Sequence, residues 1–199
     1  ISTYLDINIS YQAAALMAVA LRAKELFMHI GQMIRELSAP LYSLELFPPS
    51  DAAHLPDFYA TVDRLRSLNP LFASVTYGAG GARQQNTLAV TAELARRGIT
   101  TMAHLTCVGA EPQSIAAFLN DLHASGVNNV LALRGDPPAD KPWDWNTAHF
   151  RHASDLVGFA REQQPGMGIA VSAYPAPPPE TPTLAQDRAH TANKLRAGA

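Results

Sequence analysis

The feature that most constrains this chain is a rhythm. Short β-rich runs begin near Tyr42, Phe72, Thr101, Asn129 and Gly168, and each is followed by a stretch that reads as helix. Residues 54–68 carry Leu55, Phe58, Val62 and Leu65 on one face, and residues 111–124 carry Ile115, Phe118, Leu119 and Leu122. Segments 87–97, 153–164 and 183–197 follow the same plan with weaker periodicity. The repeat is about 30 residues, the size of a βαβ unit. The strands read as almost continuous apolar runs, the mark of parallel strands buried on both faces. An open doubly wound sheet and a (β/α)8 barrel both accept that pattern. The doubly wound sheet usually places a glycine fingerprint after its first strand, whereas here the first strand runs into "FPPSD". The barrel instead gathers functional side chains at the C-terminal ends of many strands. Those ends hold Glu45, then Thr76 and Tyr77, His104 and Thr106, Arg134 and Asp136, and Tyr174. The α/β fold expected is therefore a (β/α)8 TIM barrel. A whole barrel takes about 250 residues and eight strands. Five βα units in 199 residues are expected to be the front part of a longer protein.

Residues 41–199 form that partial barrel in this reading, and residues 1–40 form an N-terminal helical extension. Leu16, Val19, Ala23, Leu26, Ile30, Met33 and Leu37 recur at helical spacing, which predicts a helix over 12–37 ended by Pro40. It packs on the domain, or docks a partner. Its most apolar stretch, "AAALMAVAL", is too short to span a bilayer, and Asp6 with no basic leader argues against a signal peptide. A net charge of −2 gives no reason to expect nucleic acid or an anionic membrane as partner. The lone Cys107 forms no intramolecular disulfide, and a cytoplasmic location is expected.

Strand alternation in "SLELF" puts Ser43, Glu45 and Phe47 on one face and Leu44 and Leu46 on the other. In a barrel the leucines meet the helices, so Glu45 points into the mouth. Partial desolvation there would raise the pKa of a carboxyl group and keep a general acid protonated. A structural pairing with Arg134 fits the strand equally well. "SVTYGAGGARQQNT" ends a strand in a glycine-rich turn that suits an anion or a flat ring, although it is no Walker loop and a plain βα turn explains it too. In "AHLTC", His104 and Thr106 share a face, and Cys107 reads as a packing residue. No second cluster completes a metal site. In "LALRGDPP", Arg134 and Asp136 have equal parity and both face the mouth if the strand stays regular through Gly135; a structural ion pair is the alternative. The RGD tripeptide follows a buried strand and the sequence shows no secretory signal, which argues against an adhesion role. Trp143 and Trp145, in the next loop, either cover a ligand or pack.

Taken in order, "SLELFPP", "FASVTYGAGG", "AHLTC", "NVLALRGDPP", "HASDLV" and "VSAYP" resemble the successive signatures of the methylenetetrahydrofolate reductase family, from about Ser43 to Ala199. The resemblance implies an FAD-containing barrel that reduces 5,10-methylenetetrahydrofolate to 5-methyltetrahydrofolate with NADH or NADPH. It implies a ping-pong order: nicotinamide reduces the flavin at N5 and leaves, and folate takes its place. It also implies a folate ring opened to an iminium ion by protonation at N10, with Glu45 as the acid. Asp136 matches the acid beside flavin and folate, where its charge stabilises the cation. Flavin contacts carry over to Tyr77, Ala79, His104, Arg134, Gly135, Asp136, Ala153, Tyr174, Asp187 and Lys194, and Thr76 matches a residue near the nicotinamide. Barrels of this family often self-associate, so a homo-oligomer is expected.

The chain departs from the family at "YPAPPPE", where Pro178 replaces a flavin-contacting His, and at His190 and Asn193, where Asn and Arg are common. Two other readings compete. The chain is a non-catalytic remnant of such a barrel, or it is an FAD barrel for another substrate, like proline dehydrogenase. Glu45 with "FPP" argues against the last, because an amine oxidation has no use for an acid at N10.

Overall fold

The computed structural model describes residues 29–36, 41–77, 81–137, 142–174, 176 and 183–199. Of the helix expected over 12–37, residues 12–28 and 37 lie outside these, as do Ala79 and Pro178. The elements run α1 (Ile30–Glu36), β1 (Ser43–Leu46), α2 (Leu55–Leu65), β2 (Phe72–Val75), α3 (Gly81–Arg96), β3 (Thr101–Thr106), α4 (Pro112–Ala124), β4 (Asn129–Leu133), α5 (Ala153–Gln163), β5 (Gly168–Val171) and α6 (Leu184–Arg196). Every expected strand is present. Helix α3 begins six residues before the expected 87, because the Ala-Arg-Gln-Gln that follows Gly81 consists of good helix formers.

All five strands are parallel and lie in the order β1-β2-β3-β4-β5. A doubly wound sheet must reverse its order at a switch point; this one never does. Right-handed crossovers in one direction put every helix on the same face, which is the winding of a barrel. The register shows what that face buries. Leu46, Val75, Ala103, Val130 and Ile169 form one row across all five strands. All five are buried, against Val62, Val90 and Leu94 at one end and Ile115, Leu119 and Leu156 further on. The chain thus forms part of a (β/α) barrel, with its core between sheet and helices.

The opposite, inner face carries Glu45, Ser74 and Met102 in one row and His104, Leu131 and Ala170 in another. At its N-terminal end Asn129 is buried, and its Oδ1 accepts the Ile30 N–H at 3.0 Å. That bond caps α1, and burial of Ile30 and Met33 holds the helix on the domain. Gly168 is required beside it, since a Cβ there would sit 2.5 Å from Asn129 Oδ1. Among the described residues no helix is long and apolar enough to cross a membrane.

Candidate functional site at the C-terminal strand ends

Glu45 and His104 anchor the site. Parity places both on the inner face, as the sequence led us to expect. Burial separates them. His104 is 7% exposed and its pKa is lowered by that burial, against the opposing pull of the Glu45 charge. Its Nε2 is buried without a hydrogen-bond partner. Glu45, in contrast, is exposed, which corrects the expected desolvation. The cause is geometric: β1 is an edge strand of an open sheet, so nothing described faces it as the far wall of a closed barrel would. Phe47, on the same face, is 70% exposed for the same reason.

The end of β2 is braced from two sides. The Thr76 N–H donates to Leu46 O at 3.0 Å, and the buried Thr87 hydroxyl of α3 donates to Thr76 O at 3.0 Å. The neighbouring Asn86 Nδ2 donates to Pro49 O at 3.4 Å, so consecutive residues of one helix hold the loops after β1 and β2. Sequence reading missed this pair; the polar "NT" at the start of an otherwise periodic helix was the available signal. Tyr77 falls on the helix side of the sheet, where its ring meets Phe118 edge-on at 5.6 Å. Burial raises its pKa, and its hydroxyl also lacks a partner.

The end of β4 departs from expectation. The strand stops at Leu133, and Gly135 has φ +76°, so regular alternation does not extend to Asp136. Arg134 instead lies with its Cζ 4.7 Å from the Trp145 ring centre, near enough to Cys107 to lower that thiol's pKa. Burial outweighs it and pushes Cys107 up to about 12, as befits a packing residue. Asp136 is exposed. A Cβ on Gly135 would stand 3.1 Å from Thr106 Cβ, so glycine serves a close approach of two strand ends as well as a turn.

At the end of β5, Lys194 Nζ donates to the Ser172 carbonyl, and Asp187, two helical turns before it on α6, is buried. Burial lowers the Lys194 pKa and the Asp187 charge opposes the shift. Ala153 is buried at the start of α5, while Tyr174 is 52% exposed. Asn193 and His190 are exposed. Among the described residues no group of three potential metal ligands occurs. The unpartnered His104 Nε2 on the inner face fits a bound group with a hydrogen-bonding edge, since buried polar atoms ordinarily find partners.

These observations define a singly wound parallel (β/α) barrel segment whose polar groups gather at the C-terminal ends of its strands, the functional end of that architecture. Residues 29–199 match the family described as methylenetetrahydrofolate reductase, and the chain belongs to that family. It is 33% identical to the 5,10-methylenetetrahydrofolate reductase of Escherichia coli (strain K12) over 174 residues, covering 85% of this chain and 56% of the relative. It is 36% identical to Methylenetetrahydrofolate reductase 1 of Schizosaccharomyces pombe over 137 residues, 67% of this chain and 23% of the relative. Methylenetetrahydrofolate reductase (NADH) 1 of Arabidopsis thaliana is 33% identical over 178 residues, 83% of this chain and 30% of the relative. The chain spans about half the length of the bacterial relatives and less of the others.

Proposed function

We propose that this chain is the front part of a barrel that reduces 5,10-methylenetetrahydrofolate to 5-methyltetrahydrofolate, with FAD as cofactor and NADH or NADPH as the source of hydride. NADH is the donor named for the plant relative. One observation carries the reading beyond family membership: an acid, Glu45, and a buried, unsatisfied imidazole, His104, share the inner face, close enough to interact electrostatically.

Bound FAD would supply the hydride that turns the methylene carbon into a methyl group. The residues of this chain do the rest. Glu45 gives a proton to folate N10, which breaks the bond from that nitrogen to the methylene carbon and leaves an iminium at N5. His104, held neutral by burial, offers its unpaired ring nitrogen to an edge of the flavin. Arg134, beside the turn at Gly135, would hold the polar parts of the cofactor together with Lys194 and Asp187. Asp136 follows that bend and would face the cation with its negative charge. Thr76, with its peptide braced on both sides, would stand near the nicotinamide, as the resemblance implies. Ala153 and Tyr174 would supply further contacts with the cofactor; Tyr77 and Ala79 belong to the same set by resemblance alone, and the Tyr77 ring lies on the helix side of the sheet against Phe118.

Exchange of Glu45 for Gln tests this directly. In the full-length protein, Glu45→Gln should abolish folate reduction and leave reduction of the flavin by nicotinamide largely intact; loss of both would make Glu45 structural. The exposure of Glu45 and Phe47 favours a second reading for the chain taken alone, as a flavin-binding part without turnover. A visible spectrum after reconstitution with FAD checks that: no flavin absorbance would remove the cofactor from this chain.

A further inference from the structure

The only two tryptophans of the chain, Trp143 and Trp145, both lie between β4 and α5. Trp145 begins a short 3-10 turn, Trp145–Thr147, whose N-cap Asp144 accepts the Asn146 N–H at 2.9 Å. Arg151 donates to Asn146 Oδ1, and Asp155 accepts the N–H groups of Arg151 and His152 at 3.0 and 2.9 Å, which ties the segment to the start of α5. His149 Nε2 lies 2.9 Å from Glu111 Oε2, beside α4. The segment is therefore pinned to two helices. Its indoles meet edge to face at 5.7 Å, and Trp145 packs on the helix-side core.

That fixed ring is what Arg134 lies on. The strand has already ended at Leu133 and the chain turns at Gly135, so alternation no longer directs the Arg134 side chain. Stacking engages the face of a guanidinium, while hydrogen bonding runs through its edge, so one side chain does both at once. A long, flexible side chain otherwise loses much rotational freedom when it orders around a ligand.

We propose that Trp145 is a positioning residue for Arg134. Its indole face holds the guanidinium at the rim so that the in-plane N–H groups meet an acceptor edge or phosphate of bound FAD without further ordering. The proposal rests on the FAD reading above. Trp143 supports the Trp145 ring from its edge and needs no contact with the cofactor for this role.

The test is a flavin titration of the purified chain and its Trp145→Leu, Trp145→Phe, Arg134→Ala and Trp145→Leu/Arg134→Ala variants. Trp145→Leu should weaken FAD binding about two- to thirtyfold, the range that a cation–π contact supports. Trp145→Phe, which keeps a ring face, should lose less. In the Arg134→Ala background, Trp145→Leu should add less than about a twofold loss, since the two residues act as one unit. Trp145→Phe leaves Trp143 as the sole indole emitter, so its quenching by FAD reports binding independently of turnover. If Trp145→Leu fails to fold by circular dichroism, the cycle is run with Trp145→Phe. Undiminished affinity in the Trp145 variants, or an equal loss with and without Arg134, overturns the proposal while leaving FAD binding intact. Failure of the parent chain to bind FAD overturns both.

Discussion

Gly135→Ala is the perturbation whose size follows most directly from the structure. Gly135 sits at φ +76°, where an L-residue with a Cβ loses about 1–2 kcal/mol. The added Cβ would also meet Thr106 Cβ at 3.1 Å and Val108 Cγ2 at 3.3 Å. Thr106 is β-branched and its Cβ is fixed to the backbone of β3, so it cannot swing aside; overpacking of this kind costs about 1–3 kcal/mol. The sum is about 2–5 kcal/mol, or roughly 6–15 °C in Tm at about 3 °C per kcal/mol for a chain of this length. Gly98→Ala provides the control. Gly98 has nearly the same φ, +78°, but nothing within 4 Å of an added Cβ. It should lose only the conformational part, about 1–2 kcal/mol. The reduced entropy of the unfolded chain affects both variants alike and cancels in the difference. Urea unfolding of the two variants side by side is the assay. Equal destabilisation would refute the reasoning, because it would show that β3 and β4 move apart at no cost and that contact with Thr106 is not what requires glycine in this motif.

Two further outcomes follow from hydrogen bonding and burial. Thr87→Val removes the hydroxyl that donates to Thr76 O and should cost about 1 kcal/mol by leaving a part-buried carbonyl without that donor; Thr87→Ser should cost less, and the order of their urea midpoints checks it. His104 has a folded pKa below the ordinary 6.5 because of burial, so the unfolded chain takes up a proton that the folded chain refuses. Its contribution to stability is therefore lost as pH falls from about 6.5 to the folded pKa and is constant below that. His104→Gln should flatten this part of the stability–pH curve; an unchanged slope would assign it to other groups.

The fold was legible because its strands are buried on both faces and so read as apolar runs with clear starts. The Leu46–Val75–Ala103–Val130–Ile169 row could not be read from any one strand, but the parity that produces it could, and that parity placed Glu45 and His104 correctly. What alternation reports is direction, and only while the strand lasts. It failed at Arg134 and Asp136 because Gly135 turns the backbone, and the glycine itself was the warning. Burial of Glu45 was illegible for a different reason: it depends on what lies across the inner face, which no local pattern encodes. A contact such as Asn129 with Ile30, 99 residues apart, joins residues whose own segments give no hint of each other.

The contrast between Glu45 and His104 constrains how the site works. A carboxyl group serves as an acid near neutrality only when it is kept from water, and Glu45 is exposed at the edge of the sheet. Its neighbour is already buried, and a flat ligand that reaches the unpaired nitrogen of His104 must lie over the inner face. Strand register sets Glu45 one row below the Thr76 level, beside Ser74 and Met102, so a ring stacked on that ligand covers the carboxyl group as it arrives. Proton donation would then depend on the folate being in place, and the acid would be shielded from solvent by the substrate that consumes its proton. On the function proposed above, the nicotinamide half-reaction would need no proton from Glu45 and should survive Glu45→Gln.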